Sequence, residues 1–367
     1  MLPTVHGDRQ PESRYACQVR ASFTVLATRG AARRGRLQTP HGAVDTPAFM
    51  PVGTRAAVKG LRAEEVRATG ARMILANTYH LAMRPGAERV ARLGGLHRFS
   101  GWDGPILTDS GGFQVLSLAE IRSIDDDGVS FRSHLDGALL RLTPEEAVRI
   151  QEALGADVAM ALDECPPGDA PREALERAMR RTTLWAKRCL AARTRADQAL
   201  FGIVQGGADL ALRRAHLDEI AAMPFDGFAL GGLAVGEGTQ AMRETVEAVA
   251  PMLPADRPRY LMGVGTPDDL SAAVAAGIDL FDCVLPTRNA RNAQAFVPGG
   301  RLNLRGARFA DDPDPVEEGC PCPCCTRYSR AYVRHLFGVK EMLGPILLTH
   351  HNLTFYARHM EKLRAAI

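Results

Sequence analysis

The chain has 367 residues, of which 46% are hydrophobic and 24% charged, and its formal net charge is only +3. This composition is that of an ordinary globular protein, and the length suffices for one large α/β barrel or for two average domains. No run of eighteen apolar residues is present, and residues 1–20 lack the apolar core of a secretory signal. We therefore expect a cytoplasmic protein with no membrane span.

The first 22 residues are polar and contain proline, and we predict that they form a disordered extension. From residue 46 onward, short apolar runs alternate with amphipathic segments. The runs predicted to be strands are Thr46–Val52, Arg72–Asn77, Pro105–Asp109, Ala156–Leu162, Leu200–Val204, Gly227–Leu230, Arg259–Met262 and Asp279–Val284. The predicted helices include Pro144–Leu154, Pro171–Ala192, Asp209–Ala222 and Thr239–Ala250.

Eight strands that alternate with helices predict an α/β fold, a parallel (β/α)8 TIM barrel, over residues 23–310. A doubly wound sheet is the alternative, but no Gly-x-Gly-x-x-Gly motif follows the first strand. Residues 125–142 interrupt the alternation. There, two segments of alternating polarity flank Asp136-Gly137, which predicts a β-hairpin inserted into the barrel.

Polar and glycine-rich residues follow most of the predicted strands. They are Asn77, Asp109–Gln114, Asp163–Cys165, Gln205–Gly207, Gly231–Glu237, Gly263–Gly265 and Asp282. Any one of these segments alone is more often a turn than a site. In a parallel barrel, however, all the strands end on one face, where active sites form, so their recurrence predicts a site there.

Three of these strand-end residues are aspartates: Asp109, Asp163 and Asp282. Paired carboxylates suit glycosidic-bond chemistry, in which one attacks the anomeric carbon and the other transfers protons. Glycines let the backbone approach a planar ligand closely, and Phe113 and Met262 offer flat or polarizable surfaces to a ring. Packing at the end of the barrel is an equally ordinary role for each residue taken singly.

Asp282 lies in an apolar strand that Pro286 is predicted to end, with a polar loop carrying Arg288 and Arg291 after it. A carboxylate beside a cationic loop suits a nucleophile acting on a polyanion, although capping the next turn is the alternative. Five arginines and no acid lie between residues 287 and 310, and residues 326–367 hold seven lysines or arginines against two glutamates. This concentration of positive charge indicates phosphate contacts, and a solvated helix face is the alternative for the tail.

Four of the eight cysteines lie within six residues, at Cys320, Cys322, Cys324 and Cys325. In a chain without a secretory signal, such a cluster indicates a metal site rather than disulfides. Cys-x-Cys-x2-Cys spacing can hold tetrahedral zinc if a fourth ligand arrives, and His350 and His351 are both candidates. Such a site has no free position, so the zinc would be structural, in a C-terminal subdomain over residues 311–367.

The segments Asp109–Gln114, Gly231–Glu237 and Phe281–Arg291, with the cysteine cluster, resemble the bacterial tRNA-guanine transglycosylases, or queuine tRNA-ribosyltransferases. The resemblance runs from about Phe23 to the C-terminus. It implies a homodimeric, zinc-containing TIM barrel that acts on the anticodon loop of tRNA. The implied reaction exchanges guanine at wobble position 34 of GU(N) anticodons for a 7-deazaguanine base, through a covalent intermediate. Cys165 and Val235 look like the bacterial pattern, which implies 7-aminomethyl-7-deazaguanine (preQ1) rather than queuine.

The resemblance also implies roles for single residues. Asp282 would be the nucleophile and Asp109 the general acid/base. The residues implied to bind the base are Ser110, Gly111, Gly112, Phe113, Asp163, Gln205, Gly232, Leu233 and Met262. The residues implied to contact RNA are Gly263, Val264, Gly265, Thr266, Pro267, Asp268, Asp269, Thr287, Arg288, Asn289, Ala290 and Arg291. The implied zinc ligands are Cys320, Cys322, Cys325 and His351, since the family's histidine directly precedes Asn-Leu.

Two other functions are compatible with parts of the sequence. A TIM-barrel hydrolase of nucleosides or glycosides would account for the carboxylates, but not for the cysteine cluster and the arginines. A non-catalytic tRNA-binding subunit would account for the basic segments. Such a subunit is expected to lack the site carboxylates, and all three are present here.

Overall fold

The computed structural model describes residues 21–114, 122–133 and 135–367. In chain order, its strands are β1 Ser22–Arg29, β2 Ala32–Thr39, β3 Gly42–Thr46, β4 Ala48–Gly53, β5 Ile74–Ala76, β6 Ile106–Thr108, β7 Arg122–Asp125, β8 Gly128–Arg132, β9 Leu139–Leu142, β10 Val158–Met160, β11 Ala199–Val204, β12 Gly227–Leu230, β13 Arg259–Leu261, β14 Leu280–Cys283, β15 Gln294–Val297 and β16 Gly300–Asn303.

The helices within these described ranges are α1 Ala63–Ala68, α2 Thr78–Met83, α3 Ala87–Arg92, α4 Gly95–Ser100, α5 Pro144–Leu154, α6 Arg172–Ala192, α7 Leu210–Ala221, α8 Thr239–Val249, α9 Pro267–Ala275, α10 Leu285–Arg291, α11 Pro323–Arg327, α12 Arg330–Gly338 and α13 Leu343–Ala366. Two short 3-10 helices cover Ala250–Met252 and Ala307–Phe309. None of the described helices is long and apolar enough to cross a membrane.

Eight parallel strands close into a barrel in the order β4, β5, β6, β10, β11, β12, β13 and β14. The last strand pairs with the first, so that Asp282 lies opposite Met50. Each of the eight predicted strands overlaps one of these strands, and the predicted TIM barrel is confirmed. The strands read as apolar runs because a parallel barrel buries both of their faces, as β11 shows with all six residues buried.

Apolar side chains form two layers on either side of the strands. Met50, Phe201 and Tyr260 belong to the cluster inside the barrel. The second layer packs helices against the outer surface of the strands and includes Val148 and Leu154 of α5. That helix starts where the sequence predicts, with the Thr143 side chain accepting a hydrogen bond from the Glu146 N–H at 3.2 Å.

An N-terminal antiparallel sheet, formed by β1, β2 and β3, covers the amino-terminal end of the barrel. Leu37 and Val44 of this sheet pack into the cluster inside the barrel. The Arg33 guanidinium contacts Asp279, just before β14, at 2.7 Å, and both side chains are almost fully buried. This sheet was not among the elements predicted from the sequence, and its position leaves the carboxyl end of the barrel as the open end.

The insertion between β6 and β10 is a three-stranded antiparallel sheet rather than a two-stranded hairpin, with β8 between β7 and β9. The predicted hairpin covers only β8 and β9. Asp125 closes the turn from β7 to β8, because its carboxylate accepts hydrogen bonds from the N–H groups of Asp127 and Gly128 at 2.9 and 3.1 Å.

The C-terminal part consists of the β15–β16 hairpin and helices α11 to α13, which share a separate apolar cluster with Ala290 and Ala293. The division after residue 310 stays a prediction.

The predicted disordered extension falls almost entirely outside the described residues. The prediction of a polar loop after Pro286 is wrong. The segment forms α10, because proline is well suited to the first turn of a helix.

Candidate active site and metal centre

A cavity of about 370 Å³ opens at the carboxyl end of the barrel. The predicted site residues that line it are Asp109, Ser110, Gly111, Phe113, Asp163, Gly232, Leu233, Met262, Gly263 and Asp282. Gln205 and Gly112 lie directly behind this wall: Gln205 hydrogen-bonds Asp163, and a side chain added at Gly112 would meet the Asp163 backbone. Barrel closure therefore brings together predicted site residues from the ends of β6, β10, β11, β12, β13 and β14.

Asp282 lies near the end of β14 with its carboxylate held by two neutral donors. The Tyr260 hydroxyl donates to Oδ1 at 2.5 Å, and the Gly263 N–H donates to the same oxygen at 2.9 Å. Burial raises the pKa of Asp282, while these two hydrogen bonds oppose that rise. Tyr260 was not among the predicted site residues, although it stands two residues before Met262 and so faces the same side of its strand.

Asp109 follows β6 and is held from the loop after β5. The Asn77 amide donates to Oδ2 at 2.5 Å, and the Thr78 N–H donates to Oδ1 at 2.9 Å. Burial raises the pKa of Asp109 to about 7, and the charge of Asp282 adds to the rise, while the Thr78 bond opposes it. A carboxyl group of this pKa can both donate and accept a proton near neutral pH.

Asp163 forms a buried polar group with residues from two other strand ends. The Gln205 amide donates to Asp163 Oδ2 at 2.6 Å, and Ser110 Oγ donates to Oδ1 at 3.4 Å. Burial raises the pKa of Asp163 to about 6, partly offset by the Gln205 bond. The Gln205 side-chain oxygen is buried beside Gly232 and accepts no hydrogen bond among the described residues.

The loop after β12 passes close against Gln205. Gly232 has a φ of 62°, and a side chain there would collide with the Gln205 amide oxygen, so only glycine fits. Glu237 folds back onto this loop and accepts hydrogen bonds from the N–H groups of Ala234 and Val235. The backbone between residues 232 and 235 thus lines the cavity in a fixed position.

The two predicted ring-binding side chains both line the cavity. Phe113 is 50% exposed, which is unusual for a phenylalanine in a folded chain. Met262 is half-buried at the end of β13. An exposed aromatic ring at the mouth of a polar cavity is available for stacking against a flat ligand.

The segment 263–269 divides into exposed and structural residues. Val264 is buried, and the Gly265 carbonyl accepts a hydrogen bond from the Tyr356 hydroxyl at 2.5 Å. Thr266 caps α9, while Asp269 is buried and paired with Arg243 at 2.6 Å. Of the residues predicted to contact RNA here, the exposed ones are Gly263, Thr266 and Asp268, with Pro267 half-buried.

The second predicted RNA-binding segment coincides with α10. Thr287 and Ala290 point inward and are buried, at 4% and 0% exposure. Arg288 is exposed, and Asn289 and Arg291 are half-buried. Arg288 and Arg291 therefore present the cationic groups of this helix beside the open end of the barrel.

Three cysteines and one histidine converge in the C-terminal part. The distances from His351 Nδ1 to the sulfurs of Cys320, Cys322 and Cys325 are 3.7, 3.6 and 3.3 Å. A tetrahedral ion with the bond lengths usual for zinc separates its ligands by about 3.6 Å. The residues that the sequence predicts as ligands therefore form a group that could hold a metal ion.

Hydrogen bonds outside the four ligand atoms orient the histidine of this group. His351 Nε2 donates to the Phe296 carbonyl at 2.8 Å, which leaves the Nδ1 lone pair directed at the sulfurs. The adjacent Asn352 accepts from the Phe296 N–H at 2.9 Å and donates to the carbonyls of Pro286 and Gln294. His350 instead lies beside Thr354, and His351 is the histidine that lies within the group of three sulfurs.

A family model described as "Queuine tRNA-ribosyltransferase" matches residues 28–367. The chain belongs to this family. It is 56% identical over 353 residues to the queuine tRNA-ribosyltransferase of Novosphingobium aromaticivorans, covering 95% of this chain and 94% of the relative. It is 58% identical over 345 residues to the protein of the same name from Thermus thermophilus, covering 94% and 90%. With the Sorangium cellulosum relative the identity is 59% over 347 residues, covering 94% and 88%.

In this family member, a second group with potential metal ligands lies at the closed end of the barrel and consists of His41, His97 and Asp157. The two rings stack with centroids 3.4 Å apart, and their nitrogens contact separate oxygens of Asp157 at 2.8 and 3.1 Å. An ion shared by stacked rings would lie far outside both ring planes. The group is therefore a hydrogen-bonded cluster, in which the Asp157 bond raises the pKa of His41.

We expect the purified protein to hold one metal ion per chain, and Cys322→Ala to lose it, because the remaining three ligands cannot close a tetrahedral site. Metal content by mass spectrometry and the melting temperature measure the effect. Cys324→Ala is the matched control, since Cys324 is buried nearby but lies outside the ligand group. Equal metal content in the two variants would contradict the assignment.

Proposed function

We propose that this chain is a tRNA-guanine transglycosylase that replaces guanine at wobble position 34 of tRNAs with GU(N) anticodons by preQ1. Family membership supports the reaction class. The observation that carries the proposal is that Asp282 and Asp109 line one cavity together with a glycine-rich base-binding edge. The Asp109 carboxyl group is buried there with a pKa of about 7, and the half-buried Asp282 carboxylate is held by neutral donors.

The proposed reaction is a double displacement. The Asp282 carboxylate attacks C1′ of the ribose, so that an O–C1′ bond forms while the C1′–N9 bond to guanine breaks. Asp109 donates a proton to the departing guanine and later accepts the N9 proton of the incoming base. The new N9–C1′ bond then displaces Asp282, and two inversions give retention at the sugar.

Base recognition is proposed for the wall formed by Asp163, Gln205 and the loop at Gly232. Asp163 lines the cavity and offers acceptors to the N–H groups of a purine-like edge, and the backbone of Gly232 and Leu233 offers further polar groups. Gln205 is proposed to support the same edge through its hydrogen bond to Asp163. The Ser110 hydroxyl bonds Asp163, Gly112 packs against the Asp163 backbone, and Gly111 lines the cavity beside them. Phe113 and Met262 are proposed to enclose the ring between them.

The RNA-binding surface is proposed to surround this cavity. Extrusion of one base from a loop costs a few kcal/mol, which contacts to the flanking nucleotides offset. Arg288 and Arg291 of α10 are the proposed phosphate contacts, with Asn289 and the exposed part of segment 263–269 beside them. The buried Val264, Gly265, Asp269, Thr287 and Ala290 are proposed to shape this surface rather than to touch RNA.

Zn²⁺ is the proposed ion of the Cys320, Cys322, Cys325 and His351 group. Three thiolates and one imidazole are soft and borderline ligands that suit zinc, and the four ligand atoms lie within 4.8 Å of one another. When bound, zinc crosslinks the segment around α11 to α13. Because all four positions come from protein, the role is structural.

The two alternative functions lack a supporting observation. A subunit without activity is not expected to keep Asp109, Asp163 and Asp282 together around one cavity. A hydrolase of free nucleosides has no use for the cationic helix beside the cavity. The distinction is experimental, because a hydrolase would release guanine from tRNA without incorporating a new base.

We expect the protein to incorporate labelled guanine and preQ1 into tRNA with a GU anticodon, and queuine much less. The measurement is radioactivity in precipitated tRNA, with the three bases tested side by side. A tRNA whose wobble base is not guanine is the control. Guanine release without incorporation would replace the transglycosylase assignment with that of a hydrolase.

The variant Asp282→Asn tests the proposed nucleophile while leaving the other site residues unchanged. We expect this variant to lose both base exchange and the tRNA adduct that resists denaturing electrophoresis, because an amide cannot attack C1′. Asp256→Asn is the matched control, since Asp256 is exposed and lies before β13, away from the cavity. An adduct that persists in Asp282→Asn would show that another group forms the covalent bond.

The pKa of about 7 at Asp109 predicts a specific pH dependence. Guanine release in a single turnover requires protonated Asp109, so its rate should fall about tenfold per pH unit above neutrality. On the acid side the rate should fall as Asp282 becomes protonated. Rapid-quench measurements between about pH 5.5 and 9 test this, and a rate that stays constant across neutrality would exclude Asp109 as the acid.

We also propose that the protein is a homodimer in the cytoplasm, as the resemblance implies. The C-terminal part exposes apolar side chains on and after α12, with Tyr332 at 39%, Val339 at 54% and Met342 at 78% exposure. Such a surface is available for contact with a second chain. Sedimentation equilibrium should give twice the mass of one chain, and Met342→Glu should shift the equilibrium towards monomer.

A further inference from the structure

Helix α7 contacts both base-binding loops from behind, through two fully buried polar side chains on one face. Arg213 and His216 lie three residues apart, at 0% exposure each. Neither lines the cavity. Both nevertheless bond to the backbone of the loops that carry Gln205 and Gly232.

Arg213 holds three carbonyl groups at once. Its Nε donates to Gly207 at 2.7 Å, Nη1 to Val204 at 2.8 Å and Nη2 to Gly232 at 3.2 Å. The guanidinium makes no ion pair within the described ranges of the chain, and burial lowers the pKa of Arg213 to about 10. Burying a cation that binds only carbonyls costs free energy of folding. The planar guanidinium can donate to three carbonyls at once, which an apolar side chain cannot do.

His216 holds the amide of the base-binding glutamine. Its Nδ1 accepts the Gln205 N–H at 2.8 Å, which requires the proton to be on Nε2. Burial lowers the pKa of His216 to about 4, so the ring is neutral near physiological pH. The backbone of Gln205 is thereby fixed, while its side-chain amide donates to Asp163 at 2.6 Å.

These contacts form one connected frame. His216 fixes Gln205, Arg213 fixes the backbone on both sides of it, and the same Arg213 fixes Gly232, against which the Gln205 amide rests. We propose that Arg213 and His216 are positioning residues that determine base affinity and selectivity. They do so by fixing the backbone of Gln205 and of Gly232 relative to each other. This inference rests on the proposed transglycosylase function and names two residues that act behind the cavity wall.

The test compares Arg213→Lys and His216→Leu with the wild type in steady-state base exchange. Lysine keeps the charge but cannot reach three carbonyls, and leucine removes the acceptor for the Gln205 N–H. We expect KM for free guanine to rise on the order of tenfold in both variants, with kcat and KM for tRNA changed by less than about threefold. The ratio of kcat/KM for guanine to kcat/KM for hypoxanthine, which lacks the 2-amino group, should fall on the order of tenfold.

Matched variants separate positioning from general stability. Arg214→Lys makes the same change at the neighbouring exposed arginine and should behave as wild type. His216→Asn places an oxygen where Nδ1 stood and should restore the guanine KM, whereas His216→Gln, with its oxygen one methylene further out, should not. The Asn and Gln pair gives the same comparison if the leucine variant does not fold.

The outcomes are distinguishable. If the wild type exchanges guanine but the variants keep its KM and its base preference, or lose only kcat in proportion to folded protein, the positioning role is wrong. If the wild type itself exchanges no base, the proposed function fails and this inference fails with it. A raised guanine KM rescued by asparagine alone would establish the role of His216.

Discussion

Closure of the parallel barrel is the constraint on which the site depends, because it gathers strand ends that are distant in sequence around one cavity. Asp109 follows β6 and Asp282 belongs to β14, yet the charge of Asp282 contributes to the raised pKa of Asp109. Two carboxylates that repel each other at the end of the barrel, one of them buried, oppose folding. The apolar layers inside and outside the strands supply the stability that offsets this cost.

Asp279 and Asp282 show how one strand serves two purposes. Asp279, at the closed end, is paired with Arg33 and also accepts the Arg259 N–H at 2.7 Å, so a cation lies directly against its carboxylate. Asp282, at the open end, is bound by the neutral donors of Tyr260 and Gly263. An ion pair would hold the carboxylate against a cation, whereas these neutral donors orient it and leave its charge uncompensated, as the proposed role of nucleophile requires.

The sequence predicts the barrel well because eight buried parallel strands leave eight apolar runs, and it predicts the cavity because polar residues recur at their ends. It does not reveal the sheet of β1 to β3, whose place under the barrel depends on long-range packing. Arg213 and His216 were also missed. Polar residues on a buried helix face are indistinguishable from exposed ones until the carbonyls that they bind are located in space.

The contacts of His351 and Asn352 connect the candidate metal centre to the backbone that follows Asp282, the proposed nucleophile. Both residues bind the backbone between Pro286 and Phe296, a stretch that starts shortly after Asp282 and includes the arginine-bearing α10. Disturbing the cysteine cluster would loosen the contacts that hold the backbone between Pro286 and Phe296. The hydrogen bonds between the barrel strands would stay intact. The proposed activity would thus depend on a group outside the barrel that does not itself line the cavity.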